Sequence, residues 1–313
     1  MNQETIKRIQ EEIGKVIIGK DDVIAKVLMS ILAGGHVLLE DVPGVGKTTL
    51  TLAFAKVLGL ETKRVQFTSD SVPSDIIGFS LYNKEQGAFE YKAGAIMTNL
   101  LLADEINRTS SKTQSALLEA MEEFHVTVDG QTHPLPEPFI VLATQNPVGS
   151  AGTQLLPNSQ LDRFLIRTSM GYPDAESEIS ILRDRSVENP LKQIETIVTK
   201  EALLGLIGEV KEIHVDDLVY TYVSQLVDET RRHEMVQLGI STRGALALCR
   251  MAKAYAFLHG RDYVVPEDVI AVLNDVCGHR LVLNSKARLT ETTEKDILKG
   301  IAASVQMPVM REE

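Results

Sequence analysis

Lys47 and Thr48 stand behind two glycines in the stretch LLEDVPGVGKTTL, residues 38–50, and residues of those types at that spacing can hold phosphate. Gly44 and Gly46 let the backbone curl so that successive N–H groups converge on one anion, and the N-terminus of the following helix adds a partial positive charge. Lys47 can reach the β- and γ-phosphates of a nucleotide, and the Thr48 hydroxyl can hold Mg²⁺. The consensus G-x-x-x-x-G-K-[ST] has its first glycine at position 41, where this chain has Asp41. Convergence of the N–H groups depends on the turn through Gly44, Gly46 and Lys47, so Asp41→Gly is expected to leave nucleotide affinity close to normal. The rival dinucleotide fingerprint G-x-G-x-x-G fails at its last position, because GVGKTT puts Thr49 there.

An acidic pair supplies the other half of a hydrolytic site. NLLLADEINR reads as an apolar strand ending in Asp104 and Glu105, and the C-terminal ends of buried parallel strands are where α/β sheets hold their ligands. Asp104 can bind Mg²⁺ through water, and Glu105 can orient or deprotonate an attacking water. A third strand, FIVLATQNP, ends in Asn146, whose amide can help to place that water; Asn before proline is also a common turn residue. Arg163 in NSQLDRFLIR and Arg243 in GISTRGAL complete the set. Phosphoryl transfer gains from positive charge on the γ-phosphate, roughly 10³- to 10⁵-fold when a neighbouring subunit supplies an arginine. Read alone, each arginine is as readily a surface side chain or the partner of a nearby acid, Asp162 in the case of Arg163.

These side chains need an α/β frame to meet. HVLLE (36–40), KRVQF (63–67), NLLLA (99–103), FIVLAT (139–144) and FLIRTS (164–169) are short apolar runs separated by amphipathic segments, the pattern of a parallel sheet covered on both faces. FHVTVDGQTHPL (124–135) alternates around Asp129–Gly130, which predicts a hairpin projecting from the sheet. After about residue 172 a polar connecting stretch leads into helical patterning that runs to the end. The expected division is an α/β core over 1–190 and a smaller all-helical domain over 191–313.

The bulk numbers agree with that frame. A chain of 313 residues with 44% hydrophobic content can bury a sizeable core in about two domains. Its net charge of −11 argues against a general nucleic-acid binder. The sequence shows no apolar run long enough to span a bilayer and no signal-peptide core, so a cytoplasmic location is expected. Cys249 and Cys277 lie in apolar helical patterns and read as small core side chains.

Taken in order, VIIGKDDVI, DVPGVGKTT, LLLADEINR, ATQNP, LDRF and STRGAL resemble the AAA+ ATPases, and within them the MoxR family, over nearly the whole chain. The resemblance implies a P-loop parallel-sheet core with a helix-2 insert (about 78–96) and a hairpin before sensor 1 (about 124–135), followed by a small all-helical lid. It implies that Val42, Pro43, Gly44, Val45, Gly46, Lys47, Thr48 and Thr49 bind ATP and that Ile17, Ile18 and Gly19 line the adenine pocket. Thr48 and Asp104 would hold Mg²⁺, Glu105 would be the catalytic acid and Asn146 the sensor 1 residue. Arg163 would be the arginine finger acting on a neighbour's ATP, and Arg243 the sensor 2 arginine that contacts nucleotide. The family further implies a ring, taken as a hexamer, that acts as a chaperone-like machine on a protein client or in metal-cofactor insertion. Its usual partner carries a von Willebrand factor A domain. Three alternatives share parts of this pattern: a magnesium-chelatase-like ATPase subunit, a nucleotide-gated scaffold, and an AAA+ motor acting on nucleic acid.

Overall fold

The structure, a computed structural model, describes residues 2–146, 156–185 and 190–309. Two helices, α1 (Asn2–Gly14) and α2 (Asp21–Leu32), precede the first strand, β1 (Val37–Glu40). Ile6, Ile9 and Ile13 recur at helical spacing along α1 and all three are buried. There follow α3 (Lys47–Val57), β2 (Thr62–Gln66), the short α4 (Pro73–Ile77) and a hairpin of β3 (Gly78–Asn83) and β4 (Ala88–Ala93). Then come β5 (Leu100–Asp104), α5 (Ser111–Glu123), a second hairpin of β6 (His125–Val128) and β7 (Gln131–Pro134), and β8 (Ile140–Gln145). The one-turn α6 (Asn158–Leu161), β9 (Ile166–Thr168) and α7 (Ala175–Arg185) close the α/β part.

The five long-range strands form one parallel sheet in the order β2-β5-β8-β1-β9. Every residue of β5 and β8 is buried, as a strand covered on both faces requires. Side chains alternate between two apolar clusters: Val37 and Leu39 join one and Leu38 the other, while Ile140 and Leu142 oppose Val141 and Ala143. The second cluster is closed by Leu117, Leu118 and Met121 of α5. Ser110 fixes where α5 starts, its hydroxyl accepting from the Thr113 N–H. At the tip of β6–β7, Asp129 and Gly130 both have positive φ (49° and 78°), the two-residue turn the sequence predicts. The insert is likewise a hairpin, and its Tyr91 ring stacks on His133 of β7 at 3.8 Å, joining the two projections.

The rest is helical: α8 (Lys200–Glu212), α9 (Asp217–Arg232), α10 (Thr242–Leu258), α11 (Pro266–Cys277), α12 (Ser285–Leu289) and α13 (Glu294–Ser304), with β10 (Val236–Leu238) paired to β11 (Val282–Leu283). Cys277 of α11 is buried, whereas Cys249 of α10 is half-buried. Leu203, Val223, Leu248 and Met251 share one apolar cluster with α1, α2 and α3, so the helices are packed onto the core. A buried ion pair adds direction to that contact. Arg280, after α11, donates from Nε to Asp162 Oδ1 at 2.6 Å and from Nη2 to Phe164 O at 2.7 Å.

Removing one partner of a buried pair leaves an uncompensated charge. Asp162→Ala is therefore expected to lower unfolding stability by about 3 kcal/mol, read from chemical denaturation. A loss under about 0.5 kcal/mol would mean that the pair adds nothing beyond an exposed one.

Candidate active site

The glycine loop, Lys47, Thr48, Asp104, Glu105 and Asn146 meet where β1, β5 and β8 end. Gly44 (φ 89°) and Gly46 (φ 97°) take the left-handed backbone that only glycine adopts freely. Gly46 caps α3, whose first residue is Lys47. The Lys47 ammonium donates to Asp41 O at 2.8 Å and Val42 O at 3.3 Å. Burial pushes its pKa down, while the charges of Asp41, Asp104 and Glu105 pull it back up. A cavity of about 360 Å³ is lined by Pro43, Gly44, Gly46, Lys47, Thr48, Thr49, Asp104, Glu105 and Asn146, together with Arg64 and Gln66 of β2. Beside it a second cavity, of about 270 Å³, is lined by Ile17, Ile18, Pro43, Gly44, Val45, Met170, Tyr172 and Pro173 among others. The two share the glycine loop, so a polyanion and a flat apolar group on one molecule could occupy both. Gly19 and Val42 have other places. Gly19, with φ 69°, lies so close to α7 that a Cβ would meet Ser177 Oγ at 2.2 Å, and Val42 offers its carbonyl to Lys47.

The acids are held by a residue the sequence reading left unassigned. Thr144 Oγ1 donates to Asp104 Oδ1 at 2.6 Å and accepts from the Glu105 N–H at 2.9 Å. One hydroxyl on β8 thus fixes the carboxylate of Asp104 and the backbone of Glu105. Arg64 Nη2 reaches Asp104 Oδ2 at 2.7 Å and balances its charge. Glu105 itself has φ 57°, an uncommon backbone state of the kind found at functional sites. Its Oε1 accepts from Asn146 Nδ2 at 3.2 Å and its Oε2 from Arg108 Nη1 at 2.7 Å. Asn107 in turn donates to Asn146 O at 3.2 Å, while Pro147, which follows, lies outside the described residues. Thr48 and Asp104 bring oxygen donors to the same cleft, the donor type that Mg²⁺ takes alongside phosphate oxygens.

Arg163 and Arg243 do not line this cleft. They meet at Glu122, near the end of α5: Arg163 Nε lies 3.1 Å from Oε2 and Arg243 Nη2 contacts Oε1. Both line a separate cavity of about 260 Å³ with Asp162, Arg250 and Arg280. Arg243, expected among the nucleotide contacts, is instead the companion of Arg163. Pattern reading could not find this, because Glu122 sits in an ordinary helical acidic run, LLEAMEE.

Asp41 is the other surprise. Its side chain is buried and accepts three hydrogen bonds, from Ser169 Oγ (2.8 Å), Met170 N (2.6 Å) and Gly171 N (2.9 Å). The sequence reading treats this position as indifferent; the structure fills it with a fully engaged carboxylate.

A parallel-sheet core with a glycine loop, a paired acid and a helical lid defines an AAA-type ATPase, and comparison with known proteins bears this out. Residues 36–166 match the ATPase family associated with various cellular activities (AAA), and residues 228–301 match the AAA lid domain. The chain is 40% identical to Chaperone MoxR1 of Mycobacterium tuberculosis, over 97% of this chain and 82% of that one. It is 48% identical to the uncharacterized protein YeaC of Bacillus subtilis, over 96% and 94% respectively. A Cytophaga hutchinsonii protein described as an ATPase superimposes with a TM-score of 0.91 at 40% identity, covering 98% of this chain and 96% of that one. The chain belongs to the MoxR family of AAA ATPases, and ATP hydrolysis is its activity.

Thr144→Val keeps the β-branched shape and removes only the hydroxyl that ties Asp104 to Glu105. It is expected to lower kcat about 10- to 100-fold with nucleotide affinity retained, as measured by steady-state phosphate release alongside equilibrium binding. Wild-type turnover in this variant would show that the hydroxyl does not position the acids.

Proposed function

We propose that the protein hydrolyses ATP with Mg²⁺ at sites shared between adjacent copies in a hexameric ring, and that it uses the cycle to remodel a protein client. One observation carries the shared site: Arg163 and Arg243 are held together by Glu122 in a cavity apart from the chain's own phosphate loop. Two guanidiniums placed side by side suit a polyanion brought by a neighbour. The finger role expected of Arg163 then extends to Arg243, both acting on the adjacent copy's nucleotide. The name of Chaperone MoxR1 supports the remodelling role. The partner with a von Willebrand factor A domain, the alternative role in metal-cofactor insertion and the cytoplasmic location rest on the family resemblance. No helix among the described residues is long and apolar enough to cross a membrane.

In this reading the phosphate loop receives the β- and γ-phosphates on its N–H groups, and Lys47 exchanges the carbonyls of Asp41 and Val42 for phosphate oxygens. Thr48 and Asp104 would hold Mg²⁺, which when bound would supply positive charge against the transferred phosphoryl group. Glu105 takes the proton of the attacking water or orients it. Asn146, already bonded to Glu105 Oε1, keeps that carboxylate aimed at the water. Arg163 and Arg243 of the next copy leave Glu122 and stabilise the charge that develops on the γ-phosphate.

Mixing two inactive proteins tests this directly. Lys47→Ala and Glu105→Gln should each abolish turnover, as should Arg163→Ala with ATP binding intact. Arg163→Ala mixed with Glu105→Gln should regain activity, because some interfaces then pair an intact Glu105 with an intact Arg163. Normal turnover by Arg163→Ala alone, or no regain in rings shown by light scattering to be mixed, would sink the shared site. Chelation of Mg²⁺ by EDTA should stop hydrolysis reversibly.

A further inference from the structure

We infer that Asp41 is a positioning residue that sets the distance between the phosphate loop and the wall of the base pocket. The inference rests on the reading above that the glycine loop and the neighbouring apolar cavity take the two ends of one ATP.

Asp41 belongs to both halves of that site. Its backbone carbonyl accepts from Lys47 Nζ at 2.8 Å, and its N–H donates to Gln145 O at 3.2 Å. Those bonds tie it to the phosphate side and to the strand that leads to Asn146. Its carboxylate faces the other way, onto Ser169, Met170 and Gly171, as much as 130 residues distant along the chain. Met170 and Tyr172 of that segment line the apolar cavity, and Gly171 has φ 60°, so the chain turns sharply where the carboxylate grips it. Tyr172 O then accepts from Lys20 Nζ at 2.8 Å, next to the Ile17–Gly19 segment. Hydrogen bonds run from Lys47 through Asp41 to Met170 and Gly171, and Tyr172 follows Gly171 directly in the chain.

The residue type follows from this geometry. Two backbone N–H groups and one hydroxyl converge on a buried point, and each needs an acceptor. A carboxylate has two oxygens and no donor, so it satisfies all three; charge assistance makes such bonds about twice as strong as neutral ones. Glycine at position 41, the residue of the general consensus, would leave the 169–171 segment unheld. Asparagine would turn a donor toward at least one donor. Aspartate here does not decorate the phosphate loop but anchors a second element to it.

The test compares two ligands that touch different parts of the site. A fluorescent ATP analogue spans both cavities, whereas inorganic tripolyphosphate, used as its competitor, reaches only the phosphate loop. Asp41→Ala and Asp41→Asn should weaken the ATP analogue about 10- to 100-fold and leave tripolyphosphate within about threefold of wild type. The KM for ATP should rise in step while kcat at saturation changes little. Ser169→Ala, which removes one of the three bonds, should shift in the same direction by a smaller factor and guards against an Asp41 variant that fails to fold. Equal loss of both ligands, or loss of neither, overturns the inference. Failure of the wild-type chain to bind the ATP analogue would instead overturn the site reading on which it rests.

Discussion

The ends of the central strands lie side by side, and the rest of the active site hangs from that alignment. Ala103 pairs with Ala143, and Leu39 and Glu40 pair with Thr144 and Gln145, so β5, β8 and β1 finish within a residue or two of one level. A shift of one residue in β8 would turn Thr144 to the opposite face and break both bonds through which it holds Asp104 and Glu105. The register is secured because both faces of β8 are buried in separate apolar clusters. The apolar content of the sheet therefore does more than stabilise the fold. It fixes where two carboxylates, one amide and one ammonium stand relative to each other.

Asp104, Glu105 and Glu122 are each paired with arginine within the protomer, whereas the Lys47 ammonium rests on carbonyls. Arg108 with Glu105, Arg64 with Asp104, and Arg163 and Arg243 with Glu122 each include a side chain between 27% and 51% exposed. Exposed ion pairs are worth only about 0–1 kcal/mol, so breaking any of them costs little. The Asp162–Arg280 pair differs, with the arginine side chain 3% exposed, and its loss would strand a buried charge. The exchangeable pairs lie where ligands are expected and the fixed pair lies where the lid meets the core.

Much of this was legible in the sequence because AAA chemistry sits at strand ends. A buried strand announces itself by its apolar run, so the polar residue that follows it is marked: Asp104 after LLLA, Asn146 after FIVLATQ, and the glycine loop after HVLLE. The hairpin at Asp129–Gly130 was equally plain, whereas the 78–96 insert rests on the family resemblance and its β3–β4 pairing is seen only in the structure. Thr144 was hidden because a β-branched residue inside an apolar run looks like packing. Asp41 was hidden because its partners are backbone N–H groups, which carry no residue signature. Glu122 was hidden because its meaning depends on Arg163 and Arg243 coming together, and spacing along the chain gives no distance between α5 and α10.

Asp162 shows how the lid and the core can act as one body. It immediately precedes Arg163, its Oδ1 accepts from the lid's Arg280, and its Oδ2 accepts from Ser241 Oγ at 3.1 Å. Ser241 is the cap of α10, its hydroxyl also accepting from the Gly244 N–H, and Arg243 lies two residues beyond it. One carboxylate therefore sets the base of both arginines, one in the core and one in the lid. Movement of α10 or α11 must carry Arg163 along or break a buried pair, and the second course is costly. The coupling explains why two arginines 80 residues apart in sequence converge on a single Glu122. On the proposed shared-site reading, the lid would be the lever that presents both to the phosphate of an adjacent copy.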